Sequence, residues 1–188
     1  MSDHRLKPAA FLDRDGTISE EVGYLNHVSR FYMFPFAAAA IRKLNECGLL
    51  VFVITNQSGV ARGYCPESLV HTVHELMTQQ LAEAGAHLDG IYYCPHNSTE
   101  ACACRKPGPG MLHQASAEHG VDLTRSFVVG DRHSDVELAR RVGARSIMVR
   151  TGYGEGEILW HASKWKLKPD FIAADLAAAA DWILEQMN

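Results

Sequence analysis

Short apolar runs alternate with longer helical patterns along this 188-residue chain. The run at residues 49–54 constrains the fold most, because it is apolar at every position and so predicts a strand buried on both faces. Strands of this kind, separated by helices, form parallel sheets that carry helices on both sides. We therefore predict an α/β fold with a mainly parallel sheet. The other predicted strands are Ala9–Leu12 and residues 91–93, 126–129 and 146–149, with a weaker candidate at 171–172.

Helical patterns fill the intervals between these strands. Predicted helices cover residues 37–47, 66–85, 109–120, 134–143 and the C-terminal stretch from 176, and Gly48 stands where the first should stop. The fourth should open with a capping box at Ser134-Asp135-Val136-Glu137. Residues 153–168 fit either an exposed loop or a packed arm. Because no repeat, linker or space for a large cap domain is evident, we predict one domain over residues 1–188.

Composition excludes several classes of partner. The net charge is −4 and no long Lys/Arg run occurs, so a nucleic-acid-binding surface is not expected. No apolar stretch approaches the length of a membrane span, and the N-terminal run at Ala9–Leu12 is too short for a signal peptide. We therefore expect a cytoplasmic, monomeric protein with a small-molecule partner and no membrane partner.

Two carboxylates, Asp13 and Asp15, stand two residues apart where the first predicted strand ends. Ligands of open α/β sheets collect at such strand ends, and Gly16 lets the backbone turn away without a side chain. A calcium loop can also begin with D-x-D. It needs further oxygen ligands and a glutamate at its twelfth position, which the sequence does not supply. The pair therefore favours phosphoryl chemistry, in which one carboxylate attacks phosphorus and the other moves a proton.

Three further polar segments follow predicted strands. Thr55 opens the first, where a hydroxyl and free backbone N–H groups could donate to phosphate oxygens, although its Thr-Asn-Gln-Ser-Gly sequence is also a good turn. Arg105 and Lys106 bring cations to the second. In the third, Asp131 stands at a strand end, whereas Asp135 fits metal proximity and support of the following helix equally well.

These four segments, in this order, resemble the haloacid dehalogenase superfamily of phosphotransferases. The resemblance implies a Rossmann-like haloacid dehalogenase fold in which Asp13 is the nucleophile and forms an aspartyl-phosphate. It implies that Asp15 protonates the leaving alcohol and then deprotonates water. Thr55 and Lys106 would neutralise the phosphoryl oxygens. Mg²⁺ would be held by Asp13, the backbone carbonyl of Asp15, and Asp131.

A cysteine- and histidine-rich loop occupies residues 94–104. Cys94, His96, Cys102 and Cys104 form paired C-x-H and C-x-C spacings, and four such ligands suit a closed tetrahedral zinc site. The alternative is a pair of buried thiols with an incidental histidine. A structural Zn²⁺ here would orient the two cations that follow the loop.

The other two cysteines and a pair of histidines one helical turn apart lie outside that loop. Cys47 ends an apolar helix and is expected in the core, while Cys65 has no assignable role. His71 and His74 lie one turn apart without an evident thiol or acidic partner, and we expect both on the surface.

The zinc loop is similar to that of the branch containing heptose-bisphosphate and histidinol-phosphate phosphatases. Residues 11–18, 23–24, 55–63 and 91–96 favour the heptose enzymes, whereas the short spacing between His96 and Cys102 is a departure shared with histidinol phosphatases. The resemblance implies removal of the 7-phosphate of heptose 1,7-bisphosphate, a cytoplasmic step toward nucleotide-activated heptose for surface lipopolysaccharide. The substrate contacts expected from it are Arg14, Glu21, Val22, Gly23, Tyr24, Asn56, Gln57, Ser58, Arg105 and Arg132.

Two alternatives stay open at this point. A histidinol-phosphate phosphatase must recognise an amino-alcohol cation, which Glu20 and Glu21 would suit. A zinc-stapled binding module that has lost catalysis is the other. Against it stands the presence of every residue that the catalytic resemblance requires.

Overall fold

The computed structural model describes residues 6–187. Six strands form a parallel sheet, in agreement with the predicted fold class. They are β1 (Ala9–Leu12), β2 (Leu50–Asn56), β3 (Gly90–Cys94), β4 (Phe127–Gly130), β5 (Arg145–Val149) and β6 (Phe171–Ala173). Their order across the sheet is β3-β2-β1-β4-β5-β6. Because β1 lies between β2 and β4, the ends of these three strands meet at the middle of one sheet edge.

Helices cover both faces of the sheet. They are α1 (Ala37–Glu46), α2 (Glu67–Glu83), α3 (Gly110–His119), α4 (His133–Val142), α5 (Gly154–His161) and α6 (Leu176–Met187). Alternate strand residues point to opposite faces, so Leu12 packs in a core with α1, α2 and α6. Its neighbour Phe11 packs in a second core with α3 and α4. Both side chains are fully buried, as expected for a central parallel strand.

Two local features differ from the sequence prediction. The α4 helix begins at His133 rather than after Ser134, and Asp135, not Glu137, satisfies its N-terminus: the Asp135 carboxylate accepts from the Arg132 N–H at 3.2 Å. The predicted capping box at 134–137 is therefore wrong by two residues. The second difference is α5, a short helix within the stretch that had no clear pattern.

Residues 13–36 connect β1 to α1 as a compact flap with a short 3-10 helix at Val28–Arg30. Isolated bridges join Ser19 to Asp15 and to Met33, so the flap folds back on the strand end. Among the described residues no large cap domain stands over the sheet edge, and the cleft there is open to solvent. None of the helices within residues 6–187 has the length and apolar character needed to cross a membrane.

Candidate active site

The four polar segments predicted to converge do so in a cleft of about 420 Å³ at the carboxyl ends of the central strands. Asp13 follows β1, Thr55 is the second-last residue of β2 and Asp131 follows β4, which are neighbouring strands. The cleft is lined by Asp13, Asp15, Glu21, Tyr24, Thr55, Asn56, Ser58, Arg62, Arg105, Lys106, Arg132, Ser134 and Tyr153.

Asp13 lies at the base of this cleft. Its Oδ1 accepts the Arg14 backbone N–H at 2.8 Å and contacts the Lys106 Nζ at 3.0 Å. Both contacts engage Oδ1, so Oδ2 is the oxygen available to attack an electrophile. Burial raises the pKa of the Asp13 carboxyl to about 7, and the Lys106 charge acts in the opposite direction.

Lys106 is a buried cation between two carboxylates. Its Nζ lies 3.0 Å from Asp13 Oδ1 and 2.7 Å from Asp135 Oδ1. Burial by itself lowers the pKa of an ammonium group, but these carboxylates outweigh it and hold the Lys106 pKa above its ordinary value. Asp135 therefore acts as the second counter-charge of Lys106 while it also caps α4.

Asp131 supplies an unsatisfied carboxylate oxygen beside Asp13. Its Oδ2 accepts the Tyr153 N–H at 2.8 Å, whereas Oδ1 is buried with no hydrogen-bond partner among the described residues. Burial, with a contribution from the Asp13 charge, raises the Asp131 pKa to about 8. Gly16 has φ +81°, and a Cβ there would overlap the Asp131 carboxylate. Because Asp13, Asp131 and Asp135 each offer an oxygen within 4.8 Å of the others, the donor set fits a hard divalent cation.

Asp15 is held by two side chains that were predicted to touch substrate. Arg14 binds both of its oxygens, with Nη2 2.8 Å from Oδ2 and Nε 3.1 Å from Oδ1. Gln57 Nε2 donates to Asp15 Oδ2 and to Thr55 Oγ1, each at 2.8 Å. Arg14 is almost fully buried. The structure therefore places Arg14 and Gln57 behind the cleft surface, where they orient Asp15 and Thr55.

The flap contributes only part of its predicted contact set. Glu21 and Tyr24 line the cleft, but Val22 and Gly23 do not. The Gly23 N–H donates to Glu21 Oε1 at 2.6 Å, and the Val22 carbonyl accepts from Arg30 at 3.1 Å. Val22 and Gly23 therefore make hydrogen bonds within the flap. Burial, with a contribution from the Asp15 charge, raises the pKa of Glu21.

Three cleft residues were not predicted: Arg62, Ser134 and Tyr153. The Arg132 guanidinium carbon lies 3.7 Å from the centre of the Tyr153 ring, and that of Arg62 lies 5.9 Å from the Tyr24 ring centre. A sequence signal existed for Tyr153, because it follows predicted strand 146–149 and so belongs to the same sheet edge. With Arg105, this rim carries three guanidinium groups.

The four residues of the Cys/His loop come together as a ligand set. The Cys94 sulfur lies 3.0 Å from that of Cys104 and 3.7 Å from that of Cys102, and His96 Nδ1 lies 3.3 Å from the Cys104 sulfur. All four ligand atoms fall within 4.8 Å of one another. Sulfurs on a tetrahedral Zn²⁺ are separated by roughly 3.7 Å, given Zn–S bonds near 2.3 Å, so the cluster fits zinc.

This loop is joined to the cation segment beside it. Arg105 Nη1 donates to the His96 carbonyl at 3.1 Å, and the Gly110 N–H donates to the Ala103 carbonyl at 2.9 Å. A Cβ at Gly110 would press on that carbonyl. The conformation of the loop therefore fixes the entry and exit of the segment that carries Lys106.

The expectation that His71 and His74 are both surface residues is wrong for His74. Its side chain lies on the buried face of α2, with Nε2 3.3 Å from Arg14 Nη1. Val70, Val73, Met77 and Leu81 share that buried face. The helical spacing of positions 70, 73, 74, 77 and 81 was therefore a readable signal that His74 faces inward.

Comparisons with known proteins agree with this architecture. A family model described as HAD-hydrolase-like matches residues 103–179. The D-glycero-D-manno-heptose-1,7-bisphosphate 7-phosphatase of Thermosynechococcus vestitus is 41% identical over 94% of this chain and 95% of its own length. The Escherichia coli D-glycero-beta-D-manno-heptose-1,7-bisphosphate 7-phosphatase is 38% identical over 96% and 90%.

A solved structure of D,D-heptose 1,7-bisphosphate phosphatase from B. bronchiseptica, complexed with magnesium and phosphate, superposes with a TM-score of 0.86. It is 31% identical and covers 95% of this chain and 99% of its own. Because these sequence relatives and this solved structure cover nearly the whole chain, the protein belongs to the D-glycero-D-manno-heptose-1,7-bisphosphate 7-phosphatase family of haloacid dehalogenase-like hydrolases.

Proposed function

We propose that the chain is a Mg²⁺-dependent phosphatase that removes the 7-phosphate of D-glycero-D-manno-heptose 1,7-bisphosphate. One observation carries the proposal: the Asp13 carboxylate contacts the buried Lys106 cation through Oδ1 and lies close to the Asp131 carboxylate, whose Oδ1 is unsatisfied, at the base of an open cleft. This arrangement suits attack on an anionic phosphoryl group, for which positioning and charge stabilisation supply most of the catalysis. The names of the relatives support the choice of sugar.

The reaction divides between Asp13 and Asp15. Asp13 Oδ2 attacks the 7-phosphorus, the phosphorus–oxygen bond to the sugar breaks, and Asp15 gives its proton to the departing alkoxide. Asp15 then takes a proton from a water that attacks the phosphorus of the aspartyl-phosphate, which releases inorganic phosphate and restores Asp13. Lys106 and the Thr55 hydroxyl stabilise the charge on the transferring phosphoryl oxygens. The Gln57 bond to Thr55 and Asp15 keeps these two groups in register.

Mg²⁺ would be held by Asp13, Asp131 and the backbone carbonyl of Asp15. When bound, it offsets the negative charge of the phosphate that a carboxylate nucleophile must approach. Asp135 lies within reach of the same site, but its contacts with Lys106 and the Arg132 N–H suit it to hold the lysine.

We assign a structural Zn²⁺ to Cys94, His96, Cys102 and Cys104. Thiolate and imidazole ligands suit zinc and are poor ligands for magnesium. The four protein ligands leave no coordination position for water or substrate, as in other structural zinc sites. The role of this metal is to hold the loop that leads into Arg105 and Lys106.

The arginine-rich rim favours the sugar bisphosphate over histidinol phosphate, because the sugar bisphosphate carries a second phosphate far from the reacting one. Three guanidinium groups, from Arg62, Arg105 and Arg132, line the rim, against one acid, Glu21. A guanidinium fork binds phosphate oxygens well, whereas the cation of histidinol phosphate would meet a mainly positive rim. Glu21 and the short spacing before Cys102 are the features that keep the histidinol-phosphate alternative in the test.

The biological setting follows from the substrate and stays part of the proposal. The reaction would serve the cytoplasmic synthesis of nucleotide-activated heptose for lipopolysaccharide. None of the five cysteines, all of which lie within the described residues, forms a disulfide, which suits a reducing compartment.

Turnover on a panel of phosphate esters tests this proposal. Purified protein with Mg²⁺ should give its highest kcat/KM with heptose 1,7-bisphosphate, and phosphorus NMR should show the 1-phosphate retained. Asp13→Asn protein is the matched control for contaminating phosphatases. A higher kcat/KM for histidinol phosphate would overturn the sugar assignment in favour of a histidinol-phosphate phosphatase. No turnover of any ester would favour a zinc-stapled binding module that has lost catalysis.

A further inference from the structure

The guanidinium of Arg14 is enclosed on all sides, with 1% of the residue exposed. Its Nε and Nη2 face the two oxygens of Asp15. Its Nη1 faces away from them, toward His74 Nε2 at 3.3 Å. The side chain therefore has a carboxylate on one edge and an imidazole on the other.

This contact fixes the protonation state of His74. Arginine carries only donors, so His74 Nε2 must be the acceptor, and the imidazole must be neutral with its proton on Nδ1. Burial and the neighbouring Arg14 charge agree with this, because they lower the His74 pKa to about 3. The Tyr93 ring, 5.7 Å away centre to centre, packs against the imidazole and limits its rotation.

We propose that His74 is a positioning residue for proton transfer, acting on Asp15 through Arg14. By accepting the Nη1–H of Arg14, His74 holds the guanidinium plane in the orientation in which Nε and Nη2 both reach Asp15. Asp15 is thereby kept in one rotamer at the cleft surface. The inference rests on the proposed function, since it assumes that Asp15 is the group that protonates the leaving alcohol.

The competing role for His74 is packing alone, in which its ring fills space on the buried face of α2. The two roles differ in their dependence on the leaving group. Loss of proton delivery slows esters of basic alcohols most, because their alkoxides cannot depart unprotonated, and barely affects esters of acidic phenols. A packing defect lowers the rate on both by a similar factor.

The test compares His74→Gln with His74→Asn. The Gln carbonyl reaches about as far as Nε2 and can accept from Arg14, whereas the Asn carbonyl is one methylene shorter. For each variant, kcat/KM is measured over a series of aryl phosphates of graded phenol acidity, together with heptose 1,7-bisphosphate. We expect His74→Asn to lose at least about tenfold on the basic leaving groups and less than about threefold on p-nitrophenyl phosphate, which steepens the leaving-group dependence. His74→Gln should stay within about threefold of wild type throughout.

His71→Asn is the control, since His71 lies one turn away on α2, is exposed and contacts the Tyr93 hydroxyl rather than Arg14. It should leave the series unchanged. A uniform drop across the series in His74→Asn, or no drop, would overturn the positioning role. So would equal behaviour of His74→Gln and His74→Asn. The aryl series needs no sugar, so this test keeps its meaning if wild-type protein rejects heptose bisphosphate and the proposed substrate fails.

Discussion

The Asn56 side chain exchanges two hydrogen bonds with the main chain of Lys106. The Lys106 N–H donates to Asn56 Oδ1 at 3.1 Å, and Asn56 Nδ2 donates to the Lys106 carbonyl at 3.3 Å. Asn56 ends β2, whereas Lys106 lies in the loop before α3. This pair therefore joins the two elements that place Thr55 and Lys106 in the same cleft.

Replacing Asn56 should damage catalysis through Lys106. In Asn56→Ala the Lys106 peptide loses both partners, at a cost of about 1–3 kcal/mol for the groups left unsatisfied. We expect kcat/KM to fall by at least about tenfold on alkyl and aryl phosphates alike, because Lys106 acts on the phosphoryl group rather than on the leaving group. Steady-state kinetics and a thermal melt measure both effects. Wild-type kcat/KM in a variant with a lowered melting temperature would show that the pair serves stability alone.

The two carboxylates that open the site should fail in different ways. Asp13→Asn should abolish turnover, because an amide is a poor nucleophile. Asp15→Asn should still bind phosphate esters but turn them over at least about a hundredfold more slowly, since it lacks the proton donor. Rapid acid quenching of wild-type protein followed by peptide mapping should locate phosphate on Asp13. Label found on any other residue would contradict the assignment.

Much of this site could be predicted from the chain because each of its polar segments follows an apolar run that can only be a buried strand. Parallel strands align their carboxyl ends, so Asp13, Thr55 and Asp131 had to share one edge. Side-chain direction could not be predicted in the same way. Gln57 was expected at the substrate and instead bonds Asp15 and Thr55, because the turn after β2 points its amide inward.

Contacts between distant segments account for the rest. Arg132 lies on the Tyr153 ring because β4 and β5 are neighbours, but the stretch from Tyr153 onward shows no periodicity that indicates α5. His74 is the opposite case, since its helical spacing with Val73 and Met77 indicates a buried face. His74 was nevertheless expected on the surface, because the sequence shows no acidic or thiol partner for it. Its partner is a cation, Arg14.

Magnesium affinity should rise with pH. Asp13 and Asp131 have ordinary carboxyl pKa values near 3.8 when unfolded and about 7 and 8 when folded, so the Mg²⁺-free folded state binds more protons between these limits. The stability that these two groups give the Mg²⁺-free fold is therefore fully present below about pH 3.8, declines as pH rises, and is lost once pH passes about 7 to 8. Mg²⁺ must displace those protons.

The measurement is a thermal melt with and without Mg²⁺ at about pH 6 and about pH 8, after dialysis into Mg²⁺-free buffer. We expect the Mg²⁺-induced rise in melting temperature to be larger at the higher pH and the apparent Kd to fall by at least about tenfold. Asp131→Asn, which has no titratable group at that position, should show a weaker pH dependence. Equal affinity at both pH values would contradict the shifted carboxyls.

One tightly held Zn²⁺ per chain should survive extensive dialysis. Cys102→Ser should lose most of it, as measured by metal analysis. Because the loop is joined to Arg105 and to the segment that carries Lys106, the variant should also lose activity while the central sheet stays folded by circular dichroism. Cys65→Ser, at a thiol outside the cluster, is the matched control. A full zinc equivalent in Cys102→Ser would refute the ligand set.

Recognition of the remote part of the substrate should depend on Arg132 and Arg105. The Arg132 guanidinium stacks on Tyr153 and lines the cleft, so its donors can reach a phosphate at the rim. Binding of the second phosphate at the rim raises kcat/KM when it positions the reacting phosphate over Asp13. Arg132→Gln should therefore lower kcat/KM for heptose 1,7-bisphosphate by about tenfold or more and change it little for p-nitrophenyl phosphate, which has no second phosphate.

Arg105→Gln should show the same preference but also lower the aryl phosphate rate, because it breaks the bond to the His96 carbonyl that holds the zinc loop. Arg141→Gln, at an exposed position on α4, should match wild type on both substrates. For each variant, the loss of kcat/KM on heptose 1,7-bisphosphate is divided by the loss on p-nitrophenyl phosphate. Comparing this ratio between Arg132→Gln and Arg105→Gln separates substrate recognition from support of the zinc loop. If Arg132→Gln lowered both substrates equally, the rim would act on the reacting phosphate itself, and the second phosphate would need another site.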